Sequence, residues 1–151
     1  MKKNLALTLA LLFALLLTAC AAETASTAAE PNLWGVLLQA ENASSKGVTL
    51  ICSHTGGENV SELSTGSFFI LQRENNGAWS DVEYAPQTGD VAWTMEGWLI
   101  PPESTVSWDV NWEWLYGELP AGHYRIGKEV MNFRVPGDYD TEMLYAEFTL
   151  Q

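Results

Sequence analysis

The stretch Val106–Lys128 reads VSWDVNWEWLYGELPAGHYRIGK, and the fold follows from how it is read. Val106, Trp108, Val110, Trp112 and Trp114 alternate with Ser107, Asp109, Asn111 and Glu113. A period of two describes a strand with one buried and one wet face. Gly117, Pro120 and Gly122 then interrupt the pattern, so the chain turns. From His123 the extended character resumes, with Tyr124 and Ile126 on one side and Arg125 on the other. The reading is a strand, a corner and a second strand.

Working outward, strands are expected at Leu33–Ala40, Gly47–His54, Gly66–Arg73, Ala78–Tyr84, Val91–Ile100 and Glu142–Leu150. Asn76-Gly77 between two apolar runs is a hairpin signal. Residues 55–65 and 131–141 read as loops. Short strands at this spacing, with no window of helical period, predict an all-β antiparallel sandwich of about seven to nine strands. It would form one domain over residues 32–151.

At Trp112…Tyr116-Gly117-x-Leu119-Pro120-x-Gly122-x-Tyr124-Arg125-Ile126-x-Lys128 the chain resembles the signature of a bacterial immunoglobulin-like (Ig-like) domain family. Domains of that family often occur in lipoproteins and surface proteins of Gram-positive bacteria. The resemblance extends more weakly over roughly Val36 to Gln151. It implies an immunoglobulin-like sandwich and supplies no catalytic residues. In such sandwiches a tyrosine near the start of a late strand bonds its hydroxyl to upstream backbone, which suits Tyr124. Trp112, Gly122 and Tyr124 are therefore assigned structural roles. Cys52 falls where antibody-type domains place the first cysteine of an inter-sheet disulfide, but the second position is held by Ile126. Cys52 is accordingly expected as a small buried hydrophobe near Ile126.

The N-terminus carries a different signal. Met1-Lys2-Lys3 is followed by the apolar run Leu5–Leu17, too short for a comfortable permanent span. Leu17-Thr18-Ala19-Cys20 resembles the lipobox of bacterial lipoproteins. This implies cleavage before Cys20 and attachment of diacylglycerol to its thiol. Residues 1–19 would be the signal peptide and 20–31 a small, polar tether, with a reach of about 17–20 Å as a flexible coil. The expected location is the cell membrane, lipid-anchored on its extracytoplasmic face. Beyond Lys3 five basic residues face nineteen acidic ones, a net charge of −14. Such a surface repels nucleic acid and anionic lipid. The partners expected are the membrane, through lipid on Cys20, and a protein or other envelope ligand.

No catalytic constellation stands out. Ser53 and His54 are strand neighbours pointing to opposite faces, and no Gly-x-Ser-x-Gly elbow is present. His54 and His123 lack metal-binding spacing. Asp138, Asp140 and Glu142 alternate like hard-cation ligands but lack the glycine of a calcium loop. Neither a cofactor nor an enzymatic activity is expected. The binding candidates are Phe133 and Tyr139 in the 131–141 loop, and Trp98. Trp93 and Trp98, five apart, would face opposite ways on a regular strand, leaving one of them exposed. Two alternatives to a structural or protein-interaction module stay open. One is a proteinase-inhibitor-like domain, requiring a rigid exposed loop at 55–65 or 131–141. The other is a carbohydrate-binding sandwich, requiring a coplanar exposed tryptophan pair.

Overall fold

A computed structural model describes residues 29–151. The signal segment expected at 1–19, Cys20 and the expected tether up to residue 28 lie outside the described residues. Two antiparallel sheets face each other. The first contains β1 (Val36–Glu41), β2 (Gly47–His54) and β7 (Ser104–Asn111), in the order β1-β2-β7. The second contains β3 (Glu62–Gly66), β4 (Ile70–Asn75), β5 (Ala78–Asp81), β6 (Gly97–Leu99), β8 (Gly122–Val135) and β9 (Asp138–Leu150). A single helical turn, α1 (Glu113–Tyr116), links the sheets.

The alternation that predicts β2 is the alternation observed. Val48, Leu50, Cys52 and His54 point inward and the residues between them do not. Leu50 pairs with Trp108, and Cys52 lies between Leu38 and Val106. The core is closed from the other sheet by Leu63, Leu71, Tyr124, Ile126, Val130, Ala146 and Phe148. The Asn76-Gly77 hairpin forms between β4 and β5, both turn residues with positive φ.

Strand β8 organises the second sheet. One of its edges pairs with β9 from Gly122↔Leu150 to Val135↔Asp138. Its other edge is shared: β4 pairs with residues 124–127 and β3 with residues 130–133. Between β3 and β4 the chain leaves the ladder at Ser67–Phe69, opposite Lys128. The single strand expected at Gly66–Arg73 is therefore broken by this excursion. Gly127, on the outer side of β8, lies under Tyr145 and Ile70. A Cβ there would come within 2.9 Å of both side chains, so only glycine lets them close over the strand.

Other expectations are corrected. The loop expected at 131–141 is mostly ladder. β8 and β9 run on to a tight turn at Pro136-Gly137, where Gly137 has φ +84°. The loop expected at 55–65 ends in β3, whose inward residues are Leu63 and Thr65. Of the strand expected at Val91–Ile100, only Gly97–Leu99 pairs. Trp93 packs edge-on against Phe68 and Phe69 (centroids 5.3 and 5.2 Å), holding its segment off the sheet. Strand β7 stops at Asn111, short of Trp114. The Asn111 side chain accepts from the Glu113 amide (3.0 Å), and Tyr116 N–H donates to the Trp112 carbonyl (2.8 Å). The chain winds into α1, and Trp114 swings outward to 52% exposure instead of sharing the inward face of Trp108.

Candidate ligand cleft

The two sheets end, on one side of the sandwich, in β6 and β7. Among the described residues each pairs with one neighbour only, β6 with β3 and β7 with β2. Between them opens a cleft of about 230 Å³. Four tryptophans line it, each from a different element: Trp98 from β6, Trp108 from β7, Trp114 from α1, and Trp93 from the unpaired segment before β6. Trp93 meets Trp114 edge-to-face at 5.8 Å, whereas Trp98 and Trp108 are parallel within 9° at 6.3 Å. These are the offset and T-shaped arrangements that aromatic quadrupoles favour. Trp93 and Trp98, expected on opposite faces, line the same cleft because no regular strand connects them.

Lys128 also lines this cleft. It follows Tyr124 and Ile126 on the inward face of β8 and is 1% exposed. Its ammonium donates to the Phe68 carbonyl (2.9 Å), on the β3–β4 excursion, and to the Gly66 carbonyl, at the end of β3. The Trp98 ring lies 5.5 Å from Nζ, a cation–π distance. No carboxylate pairs with Lys128 among the described residues. Burial pushes its pKa down to about 8. The lysine thus fastens a bulge and places an unneutralised donor at an aromatic cleft. An ammonium carries three protons, so two carbonyls leave one unused. A second unused donor is close by, the indole N–H of Trp108, buried without a partner.

The corner is closed by contrast. The Tyr124 hydroxyl donates to the Pro120 carbonyl (2.9 Å). Trp112 is fully buried, its N–H donates to the Ser45 carbonyl (2.9 Å), and its ring stacks on Phe148 at 5.4 Å. Phe148 in turn stacks on Tyr124 at 5.8 Å. Gly122 opens β8 opposite Leu150, where a Cβ would come within 3.0–3.1 Å of Arg73 and Tyr124. A sequence profile of the bacterial Ig-like domain matches residues 32–149. The chain belongs to this family. Ig-like domains of this kind are generally non-catalytic. No curated protein and no solved structure matches the chain.

The remaining site residues of the Ig-like domain fall away from the cleft. Cys52 and Ile126 are both fully buried in the core, and burial pushes the Cys52 thiol up to about 11. Phe133 and Tyr139 face each other as a cross-strand pair near the β8–β9 turn, Phe133 half-buried and Tyr139 exposed. With 131–141 folded into that hairpin, it offers no free inhibitory loop. Asp138 and Asp140 are both bound by Arg134 (2.6 and 2.9 Å), which holds the Asp138 carboxyl below its ordinary range. His123 lies between Glu74 and Glu147 on the second sheet. His54, on the first sheet, faces the Pro101 carbonyl through Nδ1 while its Nε2 has no partner. Among the described residues no three His, Cys, Asp or Glu side chains converge as metal ligands.

Sequence reasoning passed over Lys128 and Asn132, the two large polar side chains on the inward face of β8. Asn132 accepts from the Ser61 amide and donates to the Asn59 carbonyl (2.8 and 2.9 Å), tying down the loop before β3. The signal for both was available. Continuing the period of two from Tyr124 and Ile126 places residues 128, 130 and 132 inward.

Proposed function

We propose that this chain is a non-enzymatic protein-interaction module, held at the extracytoplasmic face of a cell membrane by lipid on Cys20, which docks its partner at the tryptophan cleft. The observation that carries this reading is the mouth of the cleft. Trp98 and Trp114 of its walls are exposed, as are Phe68, packed on Trp93, and Met95, which follows the cleft-lining Thr94 and is exposed completely. Clustered apolar groups left in water beside a cleft mark an interaction site. Tryptophan is also among the residues on which binding energy concentrates. A sugar platform has less support. The pair Trp98 and Trp108 is parallel, but Trp98 is only 37% exposed and Trp108 is half-buried, so the pair does not present two open faces.

A photo-crosslinking residue placed at Met95 of the full chain in cells is expected to give a discrete adduct. The same residue at Asn76, in the distant β4–β5 turn, should give none. Equal labelling at both positions would remove the cleft from the reading. The anchor is tested separately: Cys20→Ser should abolish incorporation of a fatty-acid analogue, and undiminished incorporation would exclude Cys20.

A further inference from the structure

We infer that the occupant of the cleft is an extended, basic peptide segment of a partner protein, which adds as a strand to the free edge of β7 and inserts one tyrosine-like side chain between the tryptophans. This rests on the docking reading above and specifies its chemistry. Strand β7 presents eight residues to β2 on one side, and among the described residues no strand pairs with the other. An unpaired edge of that length is a template for a further strand, whose backbone bonds supply affinity while pockets beside the edge select side chains. β6 has the same freedom but only three residues.

The pocket lies where such a strand would need it. Trp108 and Val110 of β7 line the cleft. On a strand added alongside, every second side chain would project over the same face. A guest side chain entering there meets indole walls in a space of about 230 Å³, which suits a single six-membered ring. Beneath them lie two donors without acceptors, the remaining proton of the Lys128 ammonium and the Trp108 N–H, both sealed from solvent in the empty cleft, so the guest reaches them by parting the Trp98–Trp108 pair. A phenol fits both demands, because its ring packs on the indoles and its oxygen accepts. A phenylalanine would leave the donors unpaired, and unpaired buried donors are costly.

Charge at the mouth selects the flanks. Glu96 and Asp109 are exposed beside the cleft, and neither pairs with a cation among the described residues. Asp109 accepts only from Thr49 (2.7 Å) among the bonds observed. With the net charge of the chain at −12 overall, an acidic segment would be repelled and a lysine- or arginine-bearing one steered in. Guest residues alternate in direction along a strand, so one tyrosine can point inward while basic neighbours point out toward these carboxylates.

The test titrates the full chain, in detergent, with a synthetic peptide matched in length to β7. The peptide alternates threonine and lysine around one central tyrosine. Saturable change in tryptophan fluorescence is expected, together with slowed amide exchange across residues 104–111. Replacing the peptide's tyrosine by alanine, or its lysines by glutamate, should each weaken binding by about ten-fold or more, the equivalent of one good contact. Trp98→Ala in the chain should weaken it similarly with an unchanged melting temperature, which separates loss of the site from loss of the fold. Equal binding of the tyrosine and alanine peptides would overturn the inference, as would protection confined to another strand. Saturable binding of a monosaccharide with no response to any peptide would assign the cleft to a glycan and overturn it too. If no peptide binds while the Met95 adduct persists, this peptide chemistry is wrong and the docking reading stands. If both fail, both fall.

Discussion

Trp112 and Trp114 are two residues apart and belong to different worlds. Trp112 sits in the closed corner, fully buried, stacked on Phe148 and bonded to Ser45. Trp114 is half out of the protein, one wall of a cleft in which Trp108 and Lys128 keep donors unused. Both groups are aromatic, and composition does not distinguish them. What distinguishes them is whether each polar atom has a partner and each ring a neighbour on both sides. The corner meets that condition and holds the sheets together. The cleft does not, and an aromatic cluster left incomplete costs stability unless something else completes it.

The sharpest way to break this comparison is to truncate one ring in each region. Trp112→Ala removes a fully enclosed side chain and strands the Ser45 carbonyl, so a loss of about 3–5 kcal/mol is expected in urea unfolding. Such a loss could unfold a domain of ordinary stability outright. A loss under about 1 kcal/mol would mean that the corner is not closed as described.

Lys128 joins the two regions, since it projects inward from the corner's strand and ends at the cleft. Its pKa falls from 10.5 to about 8 in the folded protein because burial disfavours the charge; the Gly66 and Phe68 carbonyls and the Trp98 face act against that fall. Between these two values the unfolded chain binds more protons than the folded one, so stability rises with pH across the window. Cys52, raised from 9.0 to about 11, acts in the opposite direction above pH 9. The clean interval is therefore pH 7.5–9, where a gain of about 1 kcal/mol is expected from denaturation midpoints. Lys128→Met should flatten that slope. A slope unchanged in the variant would assign it to another group.

The closed region was legible in the sequence and the open one was not, for a physical reason. Strand β2 and the start of β8 each bury one face, and a half-buried strand writes its period into the chain. Tyr124 and Gly122 could be placed because the corner is local, with Tyr124 bonding to Pro120 four residues upstream. The cleft is made by topology: Trp93, Trp98, Trp108 and Trp114 meet only after β6 and β7 have become the edges of separate sheets. Strand β3 escaped notice because its inward pair, Leu63 and Thr65, is set among Ser64 and Gly66 and resembles loop composition. Thr65 is buried because its hydroxyl donates to the Glu129 carbonyl (2.7 Å), a partner 64 residues away.

A gentler probe of the corner is Tyr124→Phe, which deletes one hydrogen bond and keeps the stack on Phe148. Pro120 is exposed, so water can replace the lost donor at its carbonyl. The expected cost is about 0.5–1 kcal/mol, the low end for a single bond. A larger loss in urea midpoint would show the Pro120 carbonyl to be sealed from solvent.

Trp98→Ala should have the smallest effect of all on stability. Trp98 lies on a three-residue edge strand and is 37% exposed, and what it touches is a lysine already held by two carbonyls and an indole stacked from one side. Removing it uncovers Trp108 and Lys128, which water can then reach. The lost ring contact is offset by solvation of donors that had been unpaired. The net change is expected within about 0.5 kcal/mol, as for substitutions outside a packed core. Yet Trp98 is as large as Trp112, so side-chain size alone would predict comparable losses. If Trp98→Ala instead costs several kcal/mol, the cleft is a second core, its tryptophans are structural, and the contrast with the corner disappears. If it costs nearly nothing while the Met95 adduct is lost, the ring is there for a partner.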